Sequence, residues 1–306
     1  MIYTALSESF RGHLRPVTAK SFLSQYQALN NTFEENGIKK AQETDDFKEL
    51  ISLKTQYDTN EKSAHNNAAS NFTPDVMPIE KYRCCVLSDN DRPVYYNAVI
   101  LQSFTRPDGL ISAQYPLKNQ CEDFLYLVKE SRAGTVIFLG PLEDLPSTKV
   151  WFPSKNDSKV VGKFTVKMTK CHPSDAITKT NIIIQGKGFH DTRISVLECN
   201  FWKGEALTAD CRKVLDAINE TKLEERTHSN NRTLVLSSDG AQRCGPFCVA
   251  YNAIEQLILD KEVDIFTAAR LIQIRRPEFI STFEEYQFCH ELVAEYLQSD
   301  TVYANF

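Results

Sequence analysis

Arg232-Thr-Leu-Val-Leu-Ser-Ser-Asp-Gly-Ala-Gln-Arg-Cys-Gly-Pro-Phe247 changes character twice within a few residues. Thr233 to Leu236 is short, apolar and in part β-branched, the pattern of a buried strand. Ser237 to Arg243 is small and polar around Gly240, which predicts a tight loop. Gly245-Pro246 then opens an apolar-periodic run, and proline is at home in the first turn of a helix. A strand, a tight loop and a helix N-terminus in succession gather free N–H groups and the positive dipole end at one point, so the stretch predicts an anion site. Arg243 adds a planar fork suited to two phosphate oxygens.

The stretch resembles the signature of the protein tyrosine phosphatases, His-Cys-Ser-x-Gly-x-Gly-Arg-Ser/Thr-Gly. The matching positions read Leu236-Ser237-Ser238-Asp239-Gly240-Ala241-Gln242-Arg243-Cys244-Gly245. Ser238, Gly240, Arg243 and Gly245 agree with it. Ser237 stands at the nucleophilic cysteine of that family, and Leu236 replaces its histidine. Asp239 brings a carboxylate to a site meant for a dianion. Gln242 replaces a glycine, which predicts that its side chain fills the cradle.

Similar motifs extend through most of the chain. Asn71-Phe-Thr-Pro-Asp-Val-Met-Pro78 resembles a segment whose tyrosine stacks on the substrate ring; Thr73 holds that position and offers no aromatic face. Tyr95 to Ile100 and Ile111 to Leu117 match scaffold motifs, except that Tyr115 replaces a glycine. Trp151-Phe-Pro153 is a further scaffold match. Asn200-Phe-Trp-Lys-Gly-Glu-Ala-Leu-Thr208 resembles the mobile acid loop, with Trp202 retained and Gly204 at the position of the general acid. Glu205, one position on, reads as a solvated glutamate more readily than as a substitute acid, because a general acid must lie within hydrogen-bond reach of the leaving atom. Ser281-Thr-Phe-Glu-Glu-Tyr286 replaces two water-positioning glutamines by Ser281 and Glu285, while Arg276-Pro277 matches the scaffold.

Composition narrows the function classes. A chain of 306 residues with 42% hydrophobic content can bury a large core, and a net charge of −5 provides no basic field for nucleic acid. No run approaches the ~20 apolar residues of a membrane span, and the first residues do not read as a signal peptide. Nine cysteines without regular spacing suggest reduced thiols, with neither a disulfide framework nor a metal site expected. Cys244 and Cys248, one helical turn apart, read as packing residues. No cofactor is expected.

Local patterns predict short helices at 2–10, 17–33 and 45–53, and a polar loop at 60–70. Strands are expected at 134–139, 163–168, 181–185 and 193–199, the last two as a hairpin around Gly186-Lys-Gly188. Helices are expected at 122–128, 244–259, 264–274 and 283–297. This reads as one α/β domain over 1–306, with N-terminal helices and a polar loop in 1–70 and a phosphatase-like body in 71–297. By resemblance its fold is a twisted mixed β-sheet flanked by helices on both sides.

The resemblance is closest to the catalytically inactive, membrane-distal second domain of tandem receptor-type tyrosine phosphatases. It implies a pseudophosphatase with no catalytic residues, whose degenerate positions are Leu236, Ser237, Gly204, Ser281 and Glu285. The vestigial phosphate loop would comprise Ser237, Ser238, Asp239, Gly240, Ala241, Gln242 and Arg243. Such a domain would regulate an adjacent active phosphatase domain or recruit signalling proteins and phosphoproteins, on the cytoplasmic side of the plasma membrane in a single-pass receptor. The alternatives are a phosphotyrosine reader using Arg243 and the loop amides, and a weak phosphatase using Ser237 or Glu205. Arg243 can equally hold a carboxylate of its own domain, such as Asp239 or Glu205.

Overall fold

A computed structural model describes residues 16–26, 41–54, 69–89, 91–155, 157–186, 190–228 and 231–303. Its centre is an eight-stranded sheet. The strands are β4 (Ala98–Leu101), β5 (Leu110–Gln114), β6 (Ala133–Phe138), β7 (Ser158–Val161), β8 (Phe164–His172), β9 (Ile177–Gly186), β10 (Thr192–Cys199) and β11 (Arg232–Ser237). They lie in the order β4-β5-β11-β6-β10-β9-β8-β7. Small antiparallel pairs, β1 (Val17–Thr18) with β12 (Glu262–Val263) and β2 (Val86–Leu87) with β3 (Pro93–Val94), lie outside it. The expected twisted mixed sheet is therefore present, and β11 runs parallel to both its neighbours, β5 and β6.

Residues 19–26 form helix α1, followed by α2 (Ala41–Lys54), α3 (Cys121–Glu130), α4 (Thr148–Trp151), α5 (Cys211–Thr227), α6 (Cys244–Asp260), α7 (Ile265–Gln273) and α8 (Phe283–Tyr303). Strand side chains alternate between two cores, as the two-residue period of a strand requires. Leu234 and Leu236 join Phe124 of α3, Phe138 and Trp151 on one face. Val235 joins Phe247, Ile254, Ile272 and Val293, from helices α6, α7 and α8, on the other. Strands buried on both faces read as near-continuous apolar runs, which is why Thr-Leu-Val-Leu is legible as a strand.

The structure refines the expected boundaries. The 45–53 helix lies within α2; of 17–33, residues 17–18 form a strand and 19–26 a helix. The helices expected at 2–10 and 27–33, the loop expected at 60–68, and the Lys187-Gly188 part of the hairpin turn lie outside the described residues. β8 runs four residues past its expected end, and β7 was not expected at all. β7 exposes Ser158 and Val160, and the end of β8 is exposed throughout, so apolar alternation is weak at both places and periodicity has no signal there.

Helix α8 carries a half-buried histidine. The His290 ring stacks on Phe22 at 5.9 Å and meets Tyr286 edge-on at 4.9 Å, and its Nε2 has no hydrogen-bond partner among the described residues. Burial pushes its pKa down from 6.5 to about 4. The folded state disfavours the charged ring, so the unfolded chain takes up the proton first. This contribution to stability is complete above about pH 6.5 and is lost as pH falls towards about 4. His290→Gln is expected to show a shallower fall of melting temperature across that window than the parent. Parallel curves would exclude His290 as the titrating group.

Candidate functional site

The predicted anion loop sits where the central parallel strand β11 ends and α6 begins. Gly240 adopts φ +70°, and a Cβ there would lie 2.6 Å from the carbonyl carbon of Ala113 and the nitrogen of Gln114 on β5. Only glycine fits such a position. The Ser112 hydroxyl donates to the Gly240 carbonyl, tying the loop to β5. Arg276, fully buried, donates through one Nη to the Asn97 side chain at 2.8 Å and to the Asp239 carbonyl at 3.0 Å. The loop is thus braced from below by β5 and by the Arg276-Pro277 segment.

Two of its amides and one hydroxyl are already engaged. The Asp239 side chain, 4% exposed, turns back into the loop, and Oδ1 accepts from the Ala241 N–H at 2.8 Å and the Gln242 N–H at 3.1 Å. The Ser237 hydroxyl donates to the same oxygen at 3.2 Å, and Cys244 Sγ donates to Ser237 Oγ at 3.3 Å. One carboxylate oxygen therefore collects three donors at the mouth of α6. The Gln242 side chain is exposed, which corrects the expectation that it fills the cradle. A carboxylate hydrogen-bonding its own backbone two or three residues on forms an Asx turn, so proximity in sequence favours Asp239 over the longer, neutral Gln242.

Arg243 points away from the loop amides. Its Nε donates to the Ala206 carbonyl at 3.0 Å, and one Nη donates to the Leu139 and Trp202 carbonyls, both at 2.8 Å. The other Nη donates to the Gly204 carbonyl, and the guanidinium lies 5.5 Å from the Trp202 ring. The expected carboxylate partner is not found: the counterparts are carbonyl oxygens of the 139 and 202–206 backbone. Glu205 is exposed, as its solvated reading had it. Burial lowers the Arg243 pKa from its ordinary value. Tyr115 occupies the remaining space: its ring stacks on Phe138 at 5.7 Å and its buried hydroxyl reaches the Gly140 side of Arg243.

The other positions singled out in the sequence have local roles. Leu236 packs in the core with no exposure. Glu285, fully buried, accepts through Oε2 from the Ser281 and Thr282 N–H groups at 2.7 and 2.9 Å, while its own N–H donates to the Thr282 hydroxyl at 3.2 Å. This is a capping box at the start of α8, and burial raises the Glu285 pKa. Gly204 lies exposed at φ +63° with open space around it. Thr73 lies in a turn, its carbonyl accepting from the Val76 N–H at 3.1 Å.

The sequence model of the protein-tyrosine phosphatase family matches residues 67–295. The chain belongs to the protein-tyrosine phosphatase family. It is 25% identical over 318 residues to receptor-type tyrosine-protein phosphatase alpha of Mus musculus and of Homo sapiens, covering all of this chain but 37% and 38% of those proteins. It is 26% identical over 212 residues to receptor-type tyrosine-protein phosphatase C of Mus musculus, covering 65% of this chain and 16% of that protein. The chain thus spans little over a third of the length of the alpha relatives. Among solved structures, one titled as the structural basis of the PTPN18 fingerprint on distinct HER2 tyrosine phosphorylation sites superposes with a TM-score of 0.75. It is 19% identical and covers 91% of this chain and 99% of its own. That likeness bears on the phosphatase fold alone.

Within this phosphatase fold, the structure brings together Ser237, Asp239, Ala241, Gln242 and Cys244, and separates Arg243 and Glu205 from them. The braces Ser112, Asn97 and Arg276 were not expected as site residues. Only the Arg276-Pro277 match hinted at them, since Ser112 reaches the loop across 128 residues of chain and Arg276 reaches Asn97 across 179. The Cys244 thiol is pushed up to about 12 by burial, and Cys248 is raised as well, which fits their reading as packing residues. Among the described residues, no group of three or more His, Cys, Asp or Glu is placed to hold a metal, and no helix is long and apolar enough to cross a membrane.

Proposed function

We propose that this chain is a catalytically inactive tyrosine-phosphatase domain that regulates an active phosphatase domain of the same longer protein or recruits signalling partners. The observation that carries the reading is the Asp239 carboxylate seated on the loop amides. A phosphate dianion would need those same donors, and the carboxylate would repel it. A serine hydroxyl needs a neighbouring base to become a nucleophile. Asp239 accepts the Ser237 proton in a hydrogen bond, but the same oxygen also accepts from two amides, so it is shared among three donors and is not dedicated to the hydroxyl. The receptor-type relatives support placement beside a second phosphatase domain, on the cytoplasmic side of a membrane. The phosphotyrosine-reader alternative needs Arg243 and the loop amides, and Arg243 and two of those amides, of Ala241 and Gln242, are engaged internally.

Turnover is the direct test. The purified chain should release no phosphate from a phosphotyrosine peptide above a heat-killed control, and Ser237→Cys should not restore release. Residues acting as a catalytic unit are not additive, and a thiol beside Asp239 would be pushed towards its protonated form. The new thiol would also lie against Cys244, whose Sγ is 3.3 Å from Ser237 Oγ, so mild oxidant should remove two titratable thiols together. Family-like turnover by Ser237→Cys would overturn the reading. The regulatory part is tested separately, by adding the chain to an active receptor phosphatase domain and measuring its rate.

A further inference from the structure

One face of the outer sheet collects cations far from the loop. Register places Ser158, Lys167, Ile183 and Arg193 in a row across β7, β8, β9 and β10, and Lys170, Asn181 and Ser195 in the next row. A register shift between Met168 and Lys170 inserts one extra residue into β8. Without it, the side chains of 167 and 169 would share a face; with it, Lys170 is turned onto the face of Lys167. Lys167, Lys170 and Arg193 are exposed, with Ile183 half-buried between them and Val160, 74% exposed, on the same face at the edge. No ion pair to these three cations is found among the described residues. The opposite face of the same strands, with Val166, Ile182, Ile184 and Ile194, is core.

Helix α5 stands on the inner part of this face. Its Glu224 pairs with Lys179 of β9, and His228 at its end lies 3.4 Å from the Ser195 hydroxyl. The cations therefore form the floor of a step whose wall is a helix ~10 Å thick. A flat bilayer would be held off by that wall, whereas an extended chain can lie in the step. Lys167 and Arg193 are two strands apart, ~10 Å, which is about one turn of an extended polyproline-II chain, whose side chains return to the same side every three residues. We infer that this step binds an acidic, extended peptide segment of a partner protein, with carboxylates about three residues apart on Lys167, Lys170 and Arg193 and an apolar side chain over Ile183. Charge complementarity of this kind governs encounter and specificity and weakens with salt.

The test uses the whole chain and a short fluorescein-labelled peptide carrying glutamate at every third position, with a glutamine version as control. The glutamate peptide should bind and the control should not. Lys167→Glu/Lys170→Glu/Arg193→Glu should weaken binding about tenfold or more. Lys159→Glu, on the opposite face of the edge strand, should leave it unchanged. All three cations are exposed, and an unchanged melting temperature would verify the fold of the triple variant. Equal binding of both peptides, or binding indifferent to the triple reversal, would overturn the inference. So would retention on phosphatidylserine vesicles that the triple reversal abolishes while the peptide fails to bind, since the partner would then be a lipid surface.

Discussion

Asp239→Ala is expected to turn a phosphate-blind loop into one that binds inorganic phosphate, with a gain on the order of 100-fold in affinity. The change leaves the Ala241 and Gln242 N–H groups and the Ser237 hydroxyl without their acceptor, at the positive end of α6. Each donor regained by an anion contributes ~1.5–3 kcal/mol before desolvation, and removal of the like charge adds to it. Two such contacts, discounted for desolvation, give roughly 2.7 kcal/mol, which is the stated factor. Because Gln242 is exposed, adding Gln242→Gly should gain little more. The variant should also melt lower than the parent and recover when phosphate is added, since a ligand that binds only the folded state stabilises it. Calorimetric titration measures the affinity. No gain over the parent would show that Arg243, clamped on the 202–206 backbone, and not Asp239, is what closes the site. Turnover should remain absent, which separates binding from chemistry.

Gly240→Ala should have the largest effect on stability, about 3 kcal/mol. A left-handed backbone costs a non-glycine residue ~1–2 kcal/mol. The added methyl would also press on the Ala113–Gln114 peptide at 2.6 Å, and overpacking a rigid core costs ~1–3 kcal/mol. The obstacle is backbone of the buried strand β5 and cannot rotate aside as a side chain would. Gly204→Ala is the matched control: its φ is also positive, but nothing lies within 4 Å of the added carbon, so only the backbone part of the cost should remain. Denaturant midpoints of the two variants measure the difference. Equal midpoints would show that the loop shifts off β5 at little cost, and that the close approach does not hold its shape.

How far each feature was legible in the sequence depends on the range over which it is set. The strand at 233–236, the loop after it and the helix from Cys244 follow from local pattern, because periodicity and backbone preference act over a few residues. The resemblance that sets Ser237, Leu236 and Gly204 at altered catalytic positions likewise rests on the order of residues alone. The outer sheet was less legible: β7 and the end of β8 are partly solvated, and solvated strands lose the apolar alternation that marks them.

The side-chain connections were not legible. Asp239 was read as a charge that repels a ligand; in the fold it takes the place such a ligand would need. Gln242 was read as the obstruction and turned outward. Arg243 was expected to meet a carboxylate, and it meets four backbone carbonyls contributed by the 139 and 202–206 segments. The sequence determined which groups are available at the loop and that the loop exists. Only the tertiary structure decided which donor meets which acceptor, because a hydrogen bond depends on ångström-scale placement of segments that can lie more than a hundred residues apart in the chain.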